Sequence, residues 1–139
     1  NLGGEATEIP LKVNESELAA ILKLSPKQLA LDETLIAIIK NWVSQRKTGA
    51  LVTLGERGLI YASPTEFHWQ PGIKPKGEID TVGAGDMVVA AFSAAKATGA
   101  STAECCEFAN LCAHISIHKI GETGAASPEE IETLNLTFL

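Results

Sequence analysis

The sequence predicts an α/β domain whose largely parallel sheet is flanked by helices. Short apolar strand-like runs alternate with longer runs of helical spacing. Ala50 to Leu54 is a continuous apolar stretch, as expected of a strand covered on both faces. Gly83 to Thr98 is apolar nearly all round, which predicts a buried helix.

The elements follow in order. Residues 1–8 are polar, glycine-rich and without periodicity, and read as a linker or frayed end. Ile9 to Val13 reads as a short strand and Asn14 to Leu24 as a helix. Asp32 to Lys47 is a second helix: Leu35, Ile38, Ile39, Trp42 and Val43 recur at helical spacing, Asp32 can cap the start, and Gly49 follows the end. After the strand at 50–54, Gly55 and Gly58 bracket a turn. Leu59 to Ala62 and Glu66 to Trp69 are further strands, and residues 70–79 form a loop. Ser101 and Glu104 make a capping box for a helix running to about Lys119. Ser127-Pro128-Glu129-Glu130 should open a last short helix.

Composition excludes several function classes. The 139 residues are 45% hydrophobic and 20% charged, a globular balance. Eleven basic against seventeen acidic residues give a net charge of −6, with no basic cluster, so neither a nucleic acid nor an anionic membrane is an expected partner. No apolar run approaches the roughly 18 residues of a membrane span. Three cysteines make no disulfide framework, and a reduced cytoplasmic setting fits them.

Residues 79–86 carry the chemistry. Gly83, Ala84 and Gly85 have almost no side chain and would leave backbone N–H groups open at a helix start, where the helix dipole also favours anions. Asp86 falls in the first helical turn. Its bland role is to offset the helix dipole, worth about 0.3–1 kcal/mol. Two glycines at one helix start favour an anion site.

Asp80-Thr81-Val82-Gly83-Ala84-Gly85-Asp86 resembles the C-terminal signature of the ribokinase-like (PfkB) carbohydrate kinases. The resemblance implies that Gly83, Ala84 and Gly85 form the anion hole for the transferred phosphate and that Asp86 is the base for the sugar hydroxyl. Thr53-Leu54-Gly55-Glu56-Arg57-Gly58 resembles the family's T-x-G-x-x-G turn at the nucleotide phosphates, which points to Thr53, Gly55 and Gly58. Asn14-Glu15-Ser16-Glu17 resembles the family's N-x-x-E motif, so Glu17, with Asn14, would help hold magnesium through water. The same spacing makes a capping box, and both roles can coexist. Asp80 and the loop 121–127 lie where ligands of a monovalent cation, usually potassium, would come from. Asn110 is the polar residue expected to face the adenine pocket.

The likeness runs from about Ile9 to Ile131 and implies a ribokinase-like three-layer fold, of which residues 9–139 form the C-terminal, ATP-binding part only. The sugar-binding part and the lid precede it in the family and are absent from this sequence. Family dimers usually join through that lid, so a homodimeric parent is implied. Residues 108–131 resemble the heptose-phosphate kinase portion of ADP-heptose synthases. The implied reaction is ATP-dependent phosphorylation of a sugar or sugar-phosphate hydroxyl. A non-catalytic nucleotide-binding module is the alternative, and the intact Gly83–Asp86 run argues against it. A dinucleotide oxidoreductase or a P-loop kinase would need G-x-G-x-x-G after the first strand or G-x-x-x-x-G-K-[ST], and neither is present.

Glu107, His114 and His118 share a helical face without the pattern of a zinc protease helix. Cys105, Cys106, Cys112 and Met87 read as packing.

Overall fold

The computed structural model describes residues 9–81 and 83–118. Residues 1–8, read as a linker or frayed end, the loop 121–127 and the helix expected from Ser127 lie outside them.

Strand β1 spans Leu11–Asn14. It begins later than the apolar run because Pro10 has no N–H for a ladder. Pairing starts at Leu11, whose N–H donates to Gly49 O at 3.0 Å. Helix α1, Glu15–Leu22, follows without a loop and ends at Lys23 in the left-handed conformation. A 3₁₀ turn at Pro26–Leu29, unforeseen as an element, is built on Ser25-Pro26 with Gln28 reaching back to the Ser25 N–H. Helix α2 spans Glu33–Arg46, with the Asp32 side chain accepting from Leu35 N as expected. Its left-handed cap is Lys47 rather than Gly49. Gly49 is glycine for another reason: a Cβ there would lie 2.5 Å from the Tyr61 hydroxyl.

Strands β2 (Ala50–Thr53), β3 (Leu59–Ala62) and β4 (Phe67–Gln70) complete a sheet in the order β1-β2-β3-β4. Helices α3 (Ala84–Ala97) and α4 (Thr102–Ile117) follow, the latter with the Ser101–Glu104 capping box.

The α/β class and the flanking helices stand, but the strand directions correct the expectation of a largely parallel sheet. Among the described strands only β1–β2 is parallel; β2–β3 and β3–β4 are antiparallel. Parallel neighbours need a crossover of a dozen residues or more, which α1 and α2 supply once. The turns at 54–58 and 63–66 are too short for anything but hairpins.

Side chains alternate across the sheet into two cores. Val13, Val52, Ile60 and Ala62 meet Leu18, Leu35, Ile39 and Val43 from α1 and α2. Leu51, Leu59 and Tyr61 meet Val88, Phe92, Cys105 and Cys106 from α3 and α4. The register explains the split, since Val52 pairs with Ile60 and Leu51 with Tyr61. This is a three-layer arrangement. Helix α3 is not buried all round as its composition predicts. It buries Val88, Ala91 and Phe92, while Ala90 and Ala97 are exposed. Alanine tolerates exposure at little cost, so composition overstates burial. The more thoroughly buried helix is α4, which covers eight residues including Asn110 and Ser116.

Candidate active site

The parallel pairing of β1 and β2 sets Asn14 opposite Thr53, at the carboxyl ends of both strands. Open α/β sheets present their ligand crevices at this edge. A cleft of about 490 Å³ opens there. It is lined by the expected Asn14, Thr53, Gly55, Gly58, Ala84, Gly85 and Asn110, which the chain spreads over nearly a hundred positions. Gly83, Asp86, Glu17 and Asp80 are not among its lining residues.

At the start of α3, Gly83 adopts φ +83° and gives no side-chain cap. Ala84 N–H donates to Thr81 O at 3.2 Å, and Met87 N–H to Gly83 O at 3.0 Å. No carbonyl outside the helices and strands is seen to accept from the N–H of Gly83, Gly85 or Asp86 among the described residues. Asp86 itself is exposed, one residue beyond the cleft lining.

Asn14 and Glu17 form the complete capping box. Asn14 Oδ1 accepts from Glu17 N at 2.8 Å, and Glu17 Oε1 accepts from Asn14 N at 2.9 Å. Lys12 Nζ lies 3.9 Å from the same Glu17 oxygen. Oε2 of this half-exposed carboxylate makes no hydrogen bond within the described residues.

The turn Gly55–Arg57 is 3₁₀, and its two glycines serve different ends. Gly55 is left-handed at φ +59°, and a Cβ there would make ordinary contact with Glu15 Oε1 at 3.7 Å. Gly58, at φ +96°, is crossed by backbone: its Cβ would overlap Gln70 O and approach Gly72 N to 2.6 Å. Thr53 Oγ1 donates to Val13 O over a long 3.5 Å. Arg57 ties the turn to the rest of the edge. It reaches Glu15 Oε2 at 2.6 Å, donates to Leu29 O at 2.9 Å, and its own carbonyl accepts from Trp69 Nε1 at 2.8 Å.

Asn110 is buried and donates through Nδ2 to Pro71 O at 3.0 Å, so it holds the 70–73 loop as well as lining the cleft. Two histidines, one in this helix and one at its C-cap, brace this loop further along. Lys76 N–H donates to His118 Nε2 at 3.2 Å, so Nδ1 carries the hydrogen and donates to His114 O at 2.7 Å. The two rings lie 4.6 Å apart. Burial, then the neighbouring His118, pushes His114 below the ordinary histidine pKa. No group of three potential metal ligands occurs among the described residues. Asp80 is anchored through its N–H to Ile117 O at 2.6 Å; the loop 121–127 expected to share a cation with it is outside the described residues.

All three cysteines are buried and free, which matches the packing role. Burial pushes Cys106 up to about 12 and Cys112 up to about 11. No helix among the described residues is long and apolar enough to cross a membrane.

Sequence reasoning missed Lys12, Glu15 and His114 in the cleft wall. Lys12 sits in an edge strand, where a lysine signals only solvent. Glu15 had a faint signal, as the acidic residue directly after the N-cap.

Comparison with known proteins gives three results. The profile of the pfkB family carbohydrate kinases matches residues 10–130. The chain is similar to bifunctional protein HldE of Salmonella arizonae, 30% identical over 88% of this chain and 25% of that protein. It is 34% identical to bifunctional protein HldE of Helicobacter hepaticus over 62% of this chain and 18% of that protein. The chain therefore spans a quarter or less of these relatives. Among solved structures, Arabidopsis thaliana ribokinase complexed with ribose and ATP superposes with a TM-score of 0.70 at 25% identity, over 93% of this chain and 41% of that one.

Proposed function

The chain belongs to the pfkB family of carbohydrate kinases, and on that premise we propose that it is the ATP-binding part of an enzyme that phosphorylates a sugar or sugar phosphate. The observation that carries the reading is the single cleft in which the family's motif residues Asn14, Thr53, Gly55, Gly58 and Gly85 converge. A non-catalytic nucleotide module would need a carboxylate at position 86 only to offset the helix dipole.

In this reading the phosphates lie between the 55–58 turn and the start of α3. The base occupies the cleft wall made by Asn110, Ala113 and the 73–75 loop. Asp86 takes the proton of the acceptor hydroxyl, an effect typically worth 10²–10⁴-fold. The acceptor oxygen forms a bond to the γ-phosphorus, the bond from that phosphorus to the bridging oxygen breaks, and ADP departs. The N–H groups of Gly85 and Asp86 meet the charge on the transferred group; loss of one comparable donor elsewhere costs about 2.7–4 kcal/mol. Glu17 Oε2, with Asn14 beside it, would hold magnesium through water. The metal supplies neutralisation of the phosphate charge. Asp80 marks the side on which potassium would sit, and the buried free thiols fit a cytoplasmic enzyme.

For the acceptor we favour a heptose phosphate, supported by residues 108–131 and by the two HldE relatives. The test is an ATP-coupled assay of the full-length protein against a heptose phosphate, ribose and a fructose phosphate, with magnesium and with or without potassium. Fastest transfer to the heptose phosphate is expected. Fastest transfer to another sugar removes the heptose narrowing alone. No transfer to any sugar, with ATP bound, would return the chain to the binding-module reading.

A further inference from the structure

The cleft is short of positive charge for a site that would hold a polyphosphate. Among its described lining residues Lys12, Glu15 and Glu56 carry formal charge, and two of these three are carboxylates. Glu56 is exposed, so water and salt screen it. Glu15 is partly buried and stands beside the 55–58 turn, against which the phosphates are placed. Its charge is the less screened of the two. Resting on the nucleotide reading above, we propose that Arg57 is a positioning residue for ATP: it holds and neutralises the Glu15 carboxylate, so that a polyphosphate can settle against the turn.

Helix geometry explains why the carboxylate is there at all. Glu15 opens α1, directly after the N-cap Asn14, and an acidic residue in the first turn offsets the helix dipole. Asn14 in turn lies opposite Thr53 at the carboxyl ends of β1 and β2. A residue that suits the helix therefore puts a negative charge at the phosphate end of the cleft.

Arg57 is placed to offset it. Nη2 donates to Glu15 Oε2 at 2.6 Å, a short charge-assisted bond. Nη1 donates to Leu29 O at 2.9 Å, so the guanidinium is fixed on two sides. The Arg57 carbonyl accepts from Trp69 Nε1 at 2.8 Å, which fixes the main chain as well. Arg57 does not line the cleft, and it acts there through Glu15. No other cation lies within ion-pair distance of Glu15 among the described residues. Glu15 Oε1 makes no hydrogen bond among them, so the neutralisation rests on Arg57 alone. If Glu15 were only an anchor for the turn, the pair would add little, because partly exposed ion pairs contribute little to stability. The bonds to Leu29 and from Trp69 hold the turn without it. Neither of those bonds offsets a negative charge in the cleft wall.

The test measures ATP dissociation constants, with magnesium, at low and at high salt, for the full-length protein and its Arg57→Met, Glu15→Gln and doubly substituted variants. Arg57→Met leaves the carboxylate unpaired. It is expected to weaken ATP about tenfold at low salt, the factor that corresponds to about 1.4 kcal/mol, and the loss should shrink as salt rises. Glu15→Gln should bind ATP no more weakly than the parent. The double variant should return to the parental affinity, because the charge that Arg57 offsets has gone. A pair that merely braces the turn gives the reverse pattern: Glu15→Gln weakens ATP, the double variant is no better than Arg57→Met, and salt leaves the loss unchanged. Any of those three results overturns the proposal. If the unsubstituted protein does not bind ATP, the nucleotide reading itself fails, and this role of Arg57 with it. Should Arg57→Met not fold, the sign of the Glu15→Gln change decides alone.

Discussion

Alanine at Gly58 and alanine at Gly55 should damage the protein in different ways, although both residues belong to one turn. Gly58 has φ +96° and ψ −139°, a region that residues with a side chain barely enter; such strain costs about 1–3 kcal/mol. Its Cβ would also overlap Gln70 O and lie 2.6 Å from Gly72 N and 2.7 Å from Pro71 C. These are backbone atoms, fixed by β4 and by the Asn110 bond to Pro71 O, so relief requires moving the chain. Overpacking of that sort costs about 1–3 kcal/mol more. Gly58→Ala should therefore lose roughly 2–6 kcal/mol of stability. At Gly55, φ is +59° and the nearest atom, Glu15 Oε1, is 3.7 Å from the built Cβ. The left-handed conformation costs about 1–2 kcal/mol, partly offset by a stiffer unfolded chain. Its methyl would instead face the cleft where phosphates are placed, so ATP affinity should fall several-fold. Urea unfolding and ATP titration of the full-length protein and both variants measure the two effects. A Gly58→Ala protein within about 1 kcal/mol of the parent would refute the close backbone crossing. Unchanged ATP affinity in Gly55→Ala would remove the phosphates from this turn.

Three further outcomes are expected. Asp86→Asn should lower kcat at least about 10²-fold at matched folded fraction, with ATP affinity little changed; turnover within threefold of the parent would reduce Asp86 to a helix-dipole role. His114 has its pKa held below the ordinary 6.5 in the folded state by burial and then by His118, with Lys76 adding to the effect. The unfolded chain then binds the proton more readily, so stability should fall as pH drops through the ordinary value and level off below the depressed one. His114→Gln should flatten that part of a stability–pH curve, and an unaltered slope would exclude His114 as its source. Cys106 and Cys112 should resist a thiol reagent at mildly alkaline pH until the protein is unfolded, because their thiolates are disfavoured by burial; rapid labelling of either residue in the folded protein would contradict the packing shown.

Local signals were legible wherever neighbours in sequence decide the structure. Asn14 with Glu17, Asp32 with Leu35 and Ser101 with Glu104 are caps whose donors and acceptors lie three residues apart, and all three form. Strand directions were partly legible too. A turn of a few residues between 54 and 58 cannot carry a crossover, and the expectation of a largely parallel sheet extended one crossover to strands that have none. What remained hidden depends on elements meeting late. Glu15 and Arg57 are 42 residues apart and become partners only when β1 lies beside β2. Lys12 reads as a solvated edge lysine until α3 lands against it. Asn110 reads as a base-facing polar residue, and half of its amide is instead engaged by Pro71 O.

These late contacts also divide the cleft into a braced part and an open part. The 70–73 loop is held by Asn110 from α4 and crossed by Gly58 from the turn. The turn is held by Arg57 to Glu15 and Leu29. Each tie involves backbone or a two-pronged guanidinium, so the walls that would bound the base and the inner phosphates are fixed before a ligand arrives. Preorganisation of this kind lowers the ordering cost of binding. The other end differs: Asp86 and Glu17 are exposed, and Lys12 rests on a long ion pair. A phosphoryl donor that must be gripped in one orientation suits the braced end. An acceptor hydroxyl that must enter, lose a proton and leave as a phosphate ester suits the open one. The polarity of the cleft thus follows from which contacts are backbone-locked: the 55–58 turn and the 70–73 loop form the fixed end, and Asp86 and Glu17 the open one.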